Sequence, residues 1–315
     1  MQLYEFLSKE LSISKHDIHA FENSCPLRYK VYTIPKRSSG HRVIAHPSKK
    51  LKAFQRVIIR YLEPKLKIHK SAFAYVKRKS IKQNAELHVN SKYILKMDFQ
   101  DFFHSITPDI LETVLLKQEI IFNKLEFNTI KKILFWSPSK KHNGKLILSI
   151  GAPSSPIISN TVMYFFDCEI EKICSSNNII YSRYADDITF STNKKNQLFD
   201  IPKLIRKILS HHFNLSIRVN EKKTKFSSKG HNRHITGITI TNDNKISVGR
   251  GKKREVSSLI HKFSLNHLNY DEISSLQGQL SHCFNIEPEL KLRFSKKYSN
   301  EVINKLLSFR NNNDK

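Results

Sequence analysis

The first third of the chain has short runs in which apolar and polar residues alternate, a pattern that predicts β-strands. Tyr29 to Ile34 forms one run, Arg42 to Ala45 forms the next, and Ser38-Ser39-Gly40 between them has the composition of a turn. We therefore expect a hairpin with a basic tip. A further short apolar strand, Tyr93 to Met97, is predicted to end at Asp98.

A second predicted hairpin carries two more carboxylates. Ile179 to Tyr184 and Ile188 to Ser191 have strand character, and Ala185-Asp186-Asp187 lies between them at a tight turn. Aspartate is common in turns, where an exposed carboxylate costs nothing. The turn alone therefore does not decide between a structural and a chemical role.

Helical patterns flank these strands and dominate the C-terminal part. Leu51 to Leu62 has apolar residues at helical spacing. Thr107-Pro108 and Ser155-Pro156 each match an N-cap followed by proline at the first helical position, and the second opens an apolar segment that reaches about Cys174. From Gly249 through Leu265, and again from Asp271 to His282, we predict a separate helical unit.

Charge adds a partner to this picture. The 315 residues include 54 Lys plus Arg against 27 Asp plus Glu, which gives a formal net charge of +27. The excess is spread along the whole chain, as a protein that lines a phosphate track requires. We predict a nucleic-acid partner, and a merely solvated basic surface is the alternative.

Membrane association is not expected. No apolar run approaches the roughly 20 residues that a membrane span requires, and the first nine residues lack the basic start and apolar stretch of a signal peptide. We expect a cytoplasmic protein with no membrane partner.

The order of three sequence motifs is informative about the fold. Asp98 is followed by Gly151-Ala152-Pro153-Ser154-Ser155-Pro156, and then by Tyr184-Ala185-Asp186-Asp187, which has the form Tyr-x-Asp-Asp. This order resembles the palm of the reverse transcriptases. The resemblance implies an α+β right-hand polymerase with fingers, a palm whose antiparallel sheet carries the Asp triad, and a helical thumb.

The same resemblance divides the chain into three parts. Residues 1–92 would hold the N-terminal segment and fingers, residues 93–240 the palm, with part of the fingers at about 107–150, and residues 241–315 the helical thumb and C-terminal tail. The tail itself is predicted to fray from Arg310 onward.

The family's chemistry accounts for the aspartates. In-line nucleotidyl transfer uses two hard cations about 3.5 to 4 Å apart, and carboxylates on adjacent strands are suitable ligands. By resemblance, Asp98 and Asp186 would bridge two Mg²⁺ ions, Asp187 would assist, and Asp101 would support the triphosphate site. The predicted catalytic and metal-binding residues are therefore Asp98, Asp186 and Asp187.

Other positions match the family's nucleotide site. Lys36 and Arg42 resemble the residues that grip the triphosphate, although a solvated basic face is the alternative. Phe103 matches the aromatic gate that excludes a ribose 2'-hydroxyl, and its alternative is a core aromatic. Gly151 follows Ser149-Ile150 where many relatives have Pro-Gln, so its backbone would have to replace a glutamine contact.

A fourth motif is matched by Asn220 and Lys222-Lys223-Thr224, where a lysine is expected to protonate the departing pyrophosphate. Lys223 is included among the predicted nucleotide-binding residues. The sequence does not decide whether Lys222 or Lys223 is the acid.

Two strings resemble those of retron reverse transcriptases. Asn84-Ala85-Glu86-Leu87-His88 matches their Asn-Ala-x-x-His signature, and Ile235-Thr236-Gly237 resembles their Val-Thr-Gly, with Ile for Val. This implies RNA contacts by Asn84, His88, Thr236 and Gly237. The alternative is that Asn84 and His88 are an ordinary i, i+4 pair on a helix.

A basic cluster, Arg250, Lys252, Lys253 and Arg254, precedes an amphipathic helix, as expected of a thumb that grips the template duplex, or of a solvated face. Retron membership implies further partners. They are a cognate structured non-coding RNA, its msDNA product primed from an internal guanosine 2'-hydroxyl, deoxynucleotides, and an effector protein for anti-phage defence. Alternatives are a group II intron-like reverse transcriptase, an RNA-templated RNA polymerase and an inactive RNA-binding scaffold.

Overall fold

Helices and strands follow the predicted succession. A computed structural model describes residues 2–36 and 40–310. Its helices are α1 (Leu3–Leu11), α2 (Lys15–Glu22), α3 (Lys49–Leu62), α4 (Ile81–Glu86), α5 (Phe102–Ser105), α6 (Pro108–Lys117), α7 (Lys124–Leu134), α8 (Ser155–Val162), α9 (Tyr164–Ser176), α10 (Ile201–Phe213), α11 (Arg250–Ser264), α12 (Tyr270–Ile286), α13 (Glu289–Tyr298) and α14 (Asn300–Ser308).

The strands are β1 (Tyr29–Pro35), β2 (His41–Pro47), β3 (Tyr93–Gln100), β4 (Ile180–Tyr184), β5 (Asp187–Thr192), β6 (Arg218–Val219), β7 (Lys225–Ser228), β8 (Arg233–Ile235), β9 (Ile238–Ile240) and β10 (Ile246–Ser247). Short 3₁₀ helices span Cys25–Leu27 and Glu221–Lys223. No helix within the described ranges is long and apolar enough to cross a membrane.

The chain forms two compact units. The first unit contains residues up to 79 and residues 95–225, and the second unit contains residues 80–94 and those from 226 onward. These limits do not coincide with the predicted boundaries at 92/93 and 240/241. The division into fingers, palm and thumb therefore stays a prediction.

An antiparallel sheet forms the centre of the first unit. Its strands lie in the order β4-β5-β3-β6, with Tyr184 opposite Asp187 and Phe99 opposite Val219. Phe99 and Phe190 are fully buried in this sheet, and the ring of Phe166 from α9 meets Phe99 edge-on at 5.8 Å. The expected antiparallel palm sheet is thus present.

The predicted basic hairpin is also present. β1 and β2 pair in register from Tyr29 opposite Pro47 to Pro35 opposite His41, and Lys36 N–H donates to Gly40 O at 2.8 Å. Of the predicted turn, Ser38 and Ser39 lie outside the described residues, as does most of the predicted C-terminal tail. The helix predicted from Leu51 to Leu62 is confirmed as α3, and Thr107-Pro108 does open α6.

Three local predictions were wrong by small shifts. Asp98 does not end its strand, because β3 continues through Gln100 and still pairs with β6. Ser155 is the first residue of α8 and not its cap, since the cap position is Ser154. Early helical N–H groups have no intrahelical acceptor, so Pro156 is tolerated one position later. The apolar segment that follows is divided at Met163, where ψ is 0°, into α8 and α9.

The second unit combines helices with a small sheet. Helices α11 to α14 enclose an apolar core that includes Val256, Ile260, Leu276 and Ile303. Strands β8, β9 and β10 form an antiparallel sheet in the order β10-β9-β8. A separate cluster joins α4 to this sheet through its buried members Ala85, Ile94, Ile235, Ile238, Ile240 and Ile286. Helices α11 and α12 cover the two segments that were predicted to be helical, but they do not form a separate unit, because residues 80–94 and the β8–β10 sheet belong to the same one.

Candidate active site

Asp98 occupies the middle strand of the acidic site. It is 5% exposed, and its backbone carbonyl accepts from Asn220 N–H at 2.7 Å. Its carboxylate oxygens accept from Lys223 Nζ at 2.8 Å and from Asn220 Nδ2 at 3.3 Å. The fourth motif is therefore held directly against the first.

The second hairpin brings Asp186 and Asp187 to the same sheet. Ala185 has a left-handed φ of 56°, and Asp187 is the first residue of β5 rather than part of the turn. Phe99 N–H donates to Asp186 O at 3.1 Å, which ties the turn to the strand that carries Asp98. Hairpin and strand thus fix the backbones of all three aspartates.

The three carboxylates repel one another. Burial, and after it the charge of Asp98, raises the pKa of Asp186 above its ordinary value. Burial, followed by the charges of Asp186 and Asp98, raises the pKa of Asp187 to about 6. For Lys223, burial acts to lower the pKa, but the hydrogen bond and charge of Asp98 outweigh it and raise the pKa. The cluster therefore has excess negative charge that a cation would relieve.

The donor chemistry fits a hard divalent cation, which prefers carboxylate oxygens. Within residues 2–36 and 40–310, however, no three His, Cys, Asp or Glu side chains are already arranged as a metal-ligand group. The ammonium of Lys223 lies 2.8 Å from Asp98 Oδ2. The residue types fit the predicted metal site, while their arrangement is that of a lysine-neutralised cluster.

A cleft of about 660 Å³ opens over this cluster and contains most of the predicted nucleotide-binding residues. Its lining includes Asp98 and Asp186 together with Lys36, Arg42, Asp101, Phe103, Lys222 and Lys223. Lys36 and Arg42 are exposed and extend from the two strands of the β1–β2 hairpin. Carboxylates and cations therefore line the same cleft, a combination suited to a metal-bound triphosphate.

Asp101 and Phe103 lie just after β3. Asp101 has a left-handed φ of 44° at the start of α5, and the ring of Phe103 meets Phe102 edge-on with centroids 5.5 Å apart. Phe102 is buried, whereas Phe103 is only partly buried and faces the cleft. This position agrees better with a substrate-facing ring than with a core aromatic.

Gly151 does not line the cleft, although Ile150 before it does. Gly151 has a φ of 122°, and an added Cβ would lie 3.2 Å from Ala45 O and 3.3 Å from Ile44 Cγ2. Ala45 N–H donates to Ile150 O at 3.0 Å. Glycine is therefore required where this segment passes against the hairpin, and a nucleotide contact by its backbone stays a prediction.

A buried polar network beneath the turn was not predicted. Arg183 and Asp167 form a fully buried ion pair at 2.6 Å, with a second contact from Arg183 Nε at 2.9 Å. Tyr181 donates to the same carboxylate at 2.7 Å, and Arg183 also donates to Ala185 O and to Asn160 Oδ1. The sequence signals for this network were Arg183 in an apolar strand and Asp167 in an apolar helix.

The retron-like strings meet within the second unit. Asn84 and His88 are 1% and 0% exposed, and α4 ends at Glu86, so His88 lies beyond the helix. Burial lowers the pKa of His88 to about 3. Thr236 and Gly237 form the β8–β9 turn, with positive φ of 47° and 84°.

The burial of Asn84 and His88 limits how these two residues could contribute to RNA binding. As placed, the side chains of Asn84 and His88 do not face solvent, so a direct contact with RNA is not available to them. They are also not an ordinary surface pair on a helix. Their role in RNA placement stays a prediction, and it would have to act through the α4 and β8–β9 surface that they support.

The basic cluster at the start of α11 is partly engaged within its own unit. Lys252 Nζ donates to Glu255 and Gln279 at 2.9 and 3.0 Å, and Lys253 donates to Glu287 at 2.6 Å. Arg250 and Arg254 are exposed. The two arginines are thus the better placed for a phosphate backbone, and this too stays a prediction.

Comparison with known families supports the resemblance. Residues 34–240 match the family described as reverse transcriptase (RNA-dependent DNA polymerase). The Retron Ec83 reverse transcriptase of Escherichia coli is 45% identical over 281 residues, with 89% of this chain and 90% of the relative covered. The Retron Ec73 reverse transcriptase of the same organism is 31% identical, with 96% of each covered.

Solved structures support the fold alone. Apo telomerase from Candida tropicalis aligns with a TM-score of 0.52 at 12% identity, covering 91% of this chain and 60% of the telomerase chain. A right-hand polymerase architecture of mixed helix and antiparallel sheet is therefore confirmed.

Proposed function

The chain belongs to the reverse transcriptase (RNA-dependent DNA polymerase) family and, within it, to the reverse transcriptases of retrons, and from this premise we propose a specific reaction. The enzyme copies a cognate structured non-coding RNA into msDNA, starting from an internal guanosine 2'-hydroxyl. Deoxynucleotides are the substrates and two Mg²⁺ ions are the cofactors. The observation that carries the chemistry is a cleft lined by Asp98, Asp186 and several cations, with Asp187 close enough for the charges of the other two aspartates to raise its pKa.

Each residue has a distinct task in this proposal. Asp98, Asp186 and Asp187 would hold the magnesium ions, which when bound supply Lewis-acid activation of the primer hydroxyl and neutralise the triphosphate. Lys36 and Arg42 bind the triphosphate from the hairpin. Phe103, which lines the cleft, would exclude a 2'-hydroxyl on the incoming sugar.

Lys223 is better supported than Lys222 as the residue that protonates pyrophosphate. Its ammonium contacts Asp98 at 2.8 Å, and its raised pKa keeps it protonated at neutral pH. A protonated lysine inside the cleft is available both to balance the carboxylates and to donate a proton to a leaving group.

The self-primed reaction is the direct test. The enzyme with its own RNA and deoxynucleotides, but no primer, should make DNA joined to that RNA by a 2',5' linkage. The product should migrate as a branched species and shorten when debranching enzyme is added. A product insensitive to debranching enzyme would contradict the priming mechanism while leaving reverse transcription itself in place.

Retron membership also motivates a biological role, in which the enzyme, its msDNA and an effector protein act in anti-phage defence. A strain that carries the whole locus should plate phage less efficiently than one in which Asp186 and Asp187 are replaced by Asn. Equal plating across a broad phage panel would remove this part of the proposal.

A further inference from the structure

Tyr75 is an exposed aromatic residue at the active-site cleft that no motif singled out. It is 54% exposed, lines the same cleft as Asp98 and Phe103, and has a left-handed φ of 61°. A bulky side chain with positive φ is a backbone outlier, and such strain persists only where surrounding contacts hold it. Tyr75 thus has an exposed ring and an unfavourable backbone conformation, and neither feature stabilises the fold.

The segment before Tyr75 is attached to the strand that leads into the catalytic turn. Arg183 N–H donates to Ser71 O and Phe73 N–H donates to Arg183 O, both at 2.8 Å, and Ala72 forms a parallel bridge with Arg183. On the other side of Tyr75, Lys79 Nζ donates to Ala72 O at 2.9 Å and lies 4.7 Å over the Phe73 ring. The loop is thus closed on itself as well as on β4.

The buried network reaches both Tyr75 and the aspartates. Asn160 Nδ2 donates to Ala74 O at 2.8 Å, immediately before Tyr75, and Asn160 Oδ1 accepts from Arg183 at 3.0 Å. The same Arg183 nitrogen donates to Ala185 O at 3.2 Å, immediately before Asp186. Arg183, Asn160 and Asp167 are each fully buried. One buried network therefore contacts both the backbone beside the ring and the backbone beside the catalytic carboxylate.

We propose that Tyr75 contacts the substrate by stacking its ring on the nascent base pair, and that Asp167, Arg183 and Asn160 position that ring relative to Asp186. Every nucleobase has a π-face, so stacking on an aromatic ring is independent of base identity, as template copying requires. The ring and Phe103 would bound the nucleotide on two sides of one cleft. The inference rests on the proposed nucleotide site.

The test is steady-state incorporation of a single deoxynucleotide on an RNA template with an annealed DNA primer. Tyr75→Leu should raise KM for the deoxynucleotide about tenfold and leave kcat within about twofold, since stacking is lost and the carboxylates are untouched. Tyr75→Phe keeps the ring and should stay within twofold of wild type in both constants. Phe199→Leu is the matched control, because Phe199 is 60% exposed and lies outside the cleft lining.

An unchanged KM in Tyr75→Leu would overturn the stacking role, and so would a Tyr75→Phe enzyme as impaired as Tyr75→Leu. The annealed primer makes the assay independent of self-priming. If the Tyr75 variants behave as expected in this assay but no 2',5'-linked product forms in the self-primed reaction, only the proposed priming is contradicted. A wild-type enzyme that extends no primer would count against the proposed nucleotide site itself.

The positioning role needs a second measurement. Asn160→Ala removes the donor to Ala74 O, so it should raise KM in the wild-type background but add little in the Tyr75→Leu background. If the KM increases of the two single variants multiply in the double variant, the two changes are independent and Asn160 does not act through Tyr75. Where Asn160→Ala does not fold, the Tyr75→Leu and Tyr75→Phe pair still decides the stacking role.

Discussion

Two motif regions of this enzyme, one in each compact unit, bury polar side chains in opposite ways. Around the catalytic turn the buried groups are charged, and the pKa of Asp187 is raised to about 6 by burial and by neighbouring carboxylates. In the retron-like string of the second unit, the side chains of Asn84 and His88 are neutral at neutral pH, since Asn84 has no charge and burial lowers the pKa of His88 to about 3. The guanidinium of Arg233 is also fully buried in this unit, and it donates to the backbone carbonyls of Ser91 and Thr241. The carboxylates of the first region repel one another, whereas Asn84 and His88 carry no charge.

The contrast separates two meanings of a motif. Lys223 balances only part of the negative charge of the three aspartates beside the cleft, so a further cation would stabilise them and they are expected to act on substrate directly. Neutral, fully buried side chains shape the backbone around them instead. The signature residues are therefore expected to act through the surface that they support, and four measurements test this division.

The largest effect is expected at the carboxylates. Replacing Asp186 and Asp187 by Asn keeps side-chain volume but removes the charge that is proposed to hold magnesium. Primer extension should fall on the order of 10⁴-fold, which is about 5 kcal/mol. RNA binding measured by filter retention should be largely preserved. Asp200→Asn, at an exposed position, is the control, and a double variant with wild-type extension would end the catalytic assignment.

The second-largest effect is expected at the buried ion pair of Asp167 with Arg183, which is not exposed to substrate. Asp167→Asn leaves the fully buried guanidinium of Arg183 without its counter-ion, so the free energy of unfolding should fall by about 3 to 5 kcal/mol in urea titrations. The control is Arg206→Gln, which breaks an exposed pair with Glu221 at 2.8 Å. That change should cost less than about 1 kcal/mol, and similar losses in both variants would contradict the role of burial.

A smaller effect is expected at His88. Unfolded chains protonate histidine near pH 6.5, whereas folded His88 takes up its proton only near pH 3. Stability from this residue is thus present at neutral pH and is lost as pH falls from about 6.5 toward 3. Between pH 7 and pH 5 the loss should be about 2 kcal/mol.

His88→Leu should remove that pH dependence, measured as the difference in unfolding free energy between the two pH values. His267→Leu, at an exposed position of the same unit, should keep it. If the unfolding free energy changes equally with pH in the wild type and in His88→Leu, the fold does not hold the imidazole of His88 neutral.

The smallest effect is expected at Phe103. Phe103→Ala should admit ribonucleotides, because removing the ring removes the conflict with a 2'-hydroxyl while the carboxylates stay in place. Discrimination between deoxyribo- and ribonucleotides should fall about tenfold, or about 1.4 kcal/mol, in single-nucleotide incorporation assays. Unchanged discrimination, with Phe103→Tyr as the reference, would assign Phe103 to the core.

Local pattern was sufficient for much of the fold. Alternation located the β1–β2 and β4–β5 hairpins, and helical spacing located α3 and the C-terminal helices, because each depends on neighbours in sequence. It did not find the ion pair of Asp167 with Arg183, since the partners come from different elements. Tyr75 gave no signal either, because the contacts that hold the residues before it come from Asn160 and Arg183, which are far away in sequence. The burial of Asn84 and His88 depends on strands more than 140 residues away.

The second unit is assembled from two stretches of chain, residues 80–94 and those from 226 onward, and this arrangement sets an order of events during synthesis. Ala85 and Ile94 leave the ribosome long before their partners Ile235 and Ile238 exist. The first stretch must therefore stay unsatisfied while residues 95–225 are translated, which is a long-range closure of the kind that slows folding. A protein cut at residue 240 would also separate β9 from β10, so the C-terminal region cannot be moved between enzymes as a simple cassette.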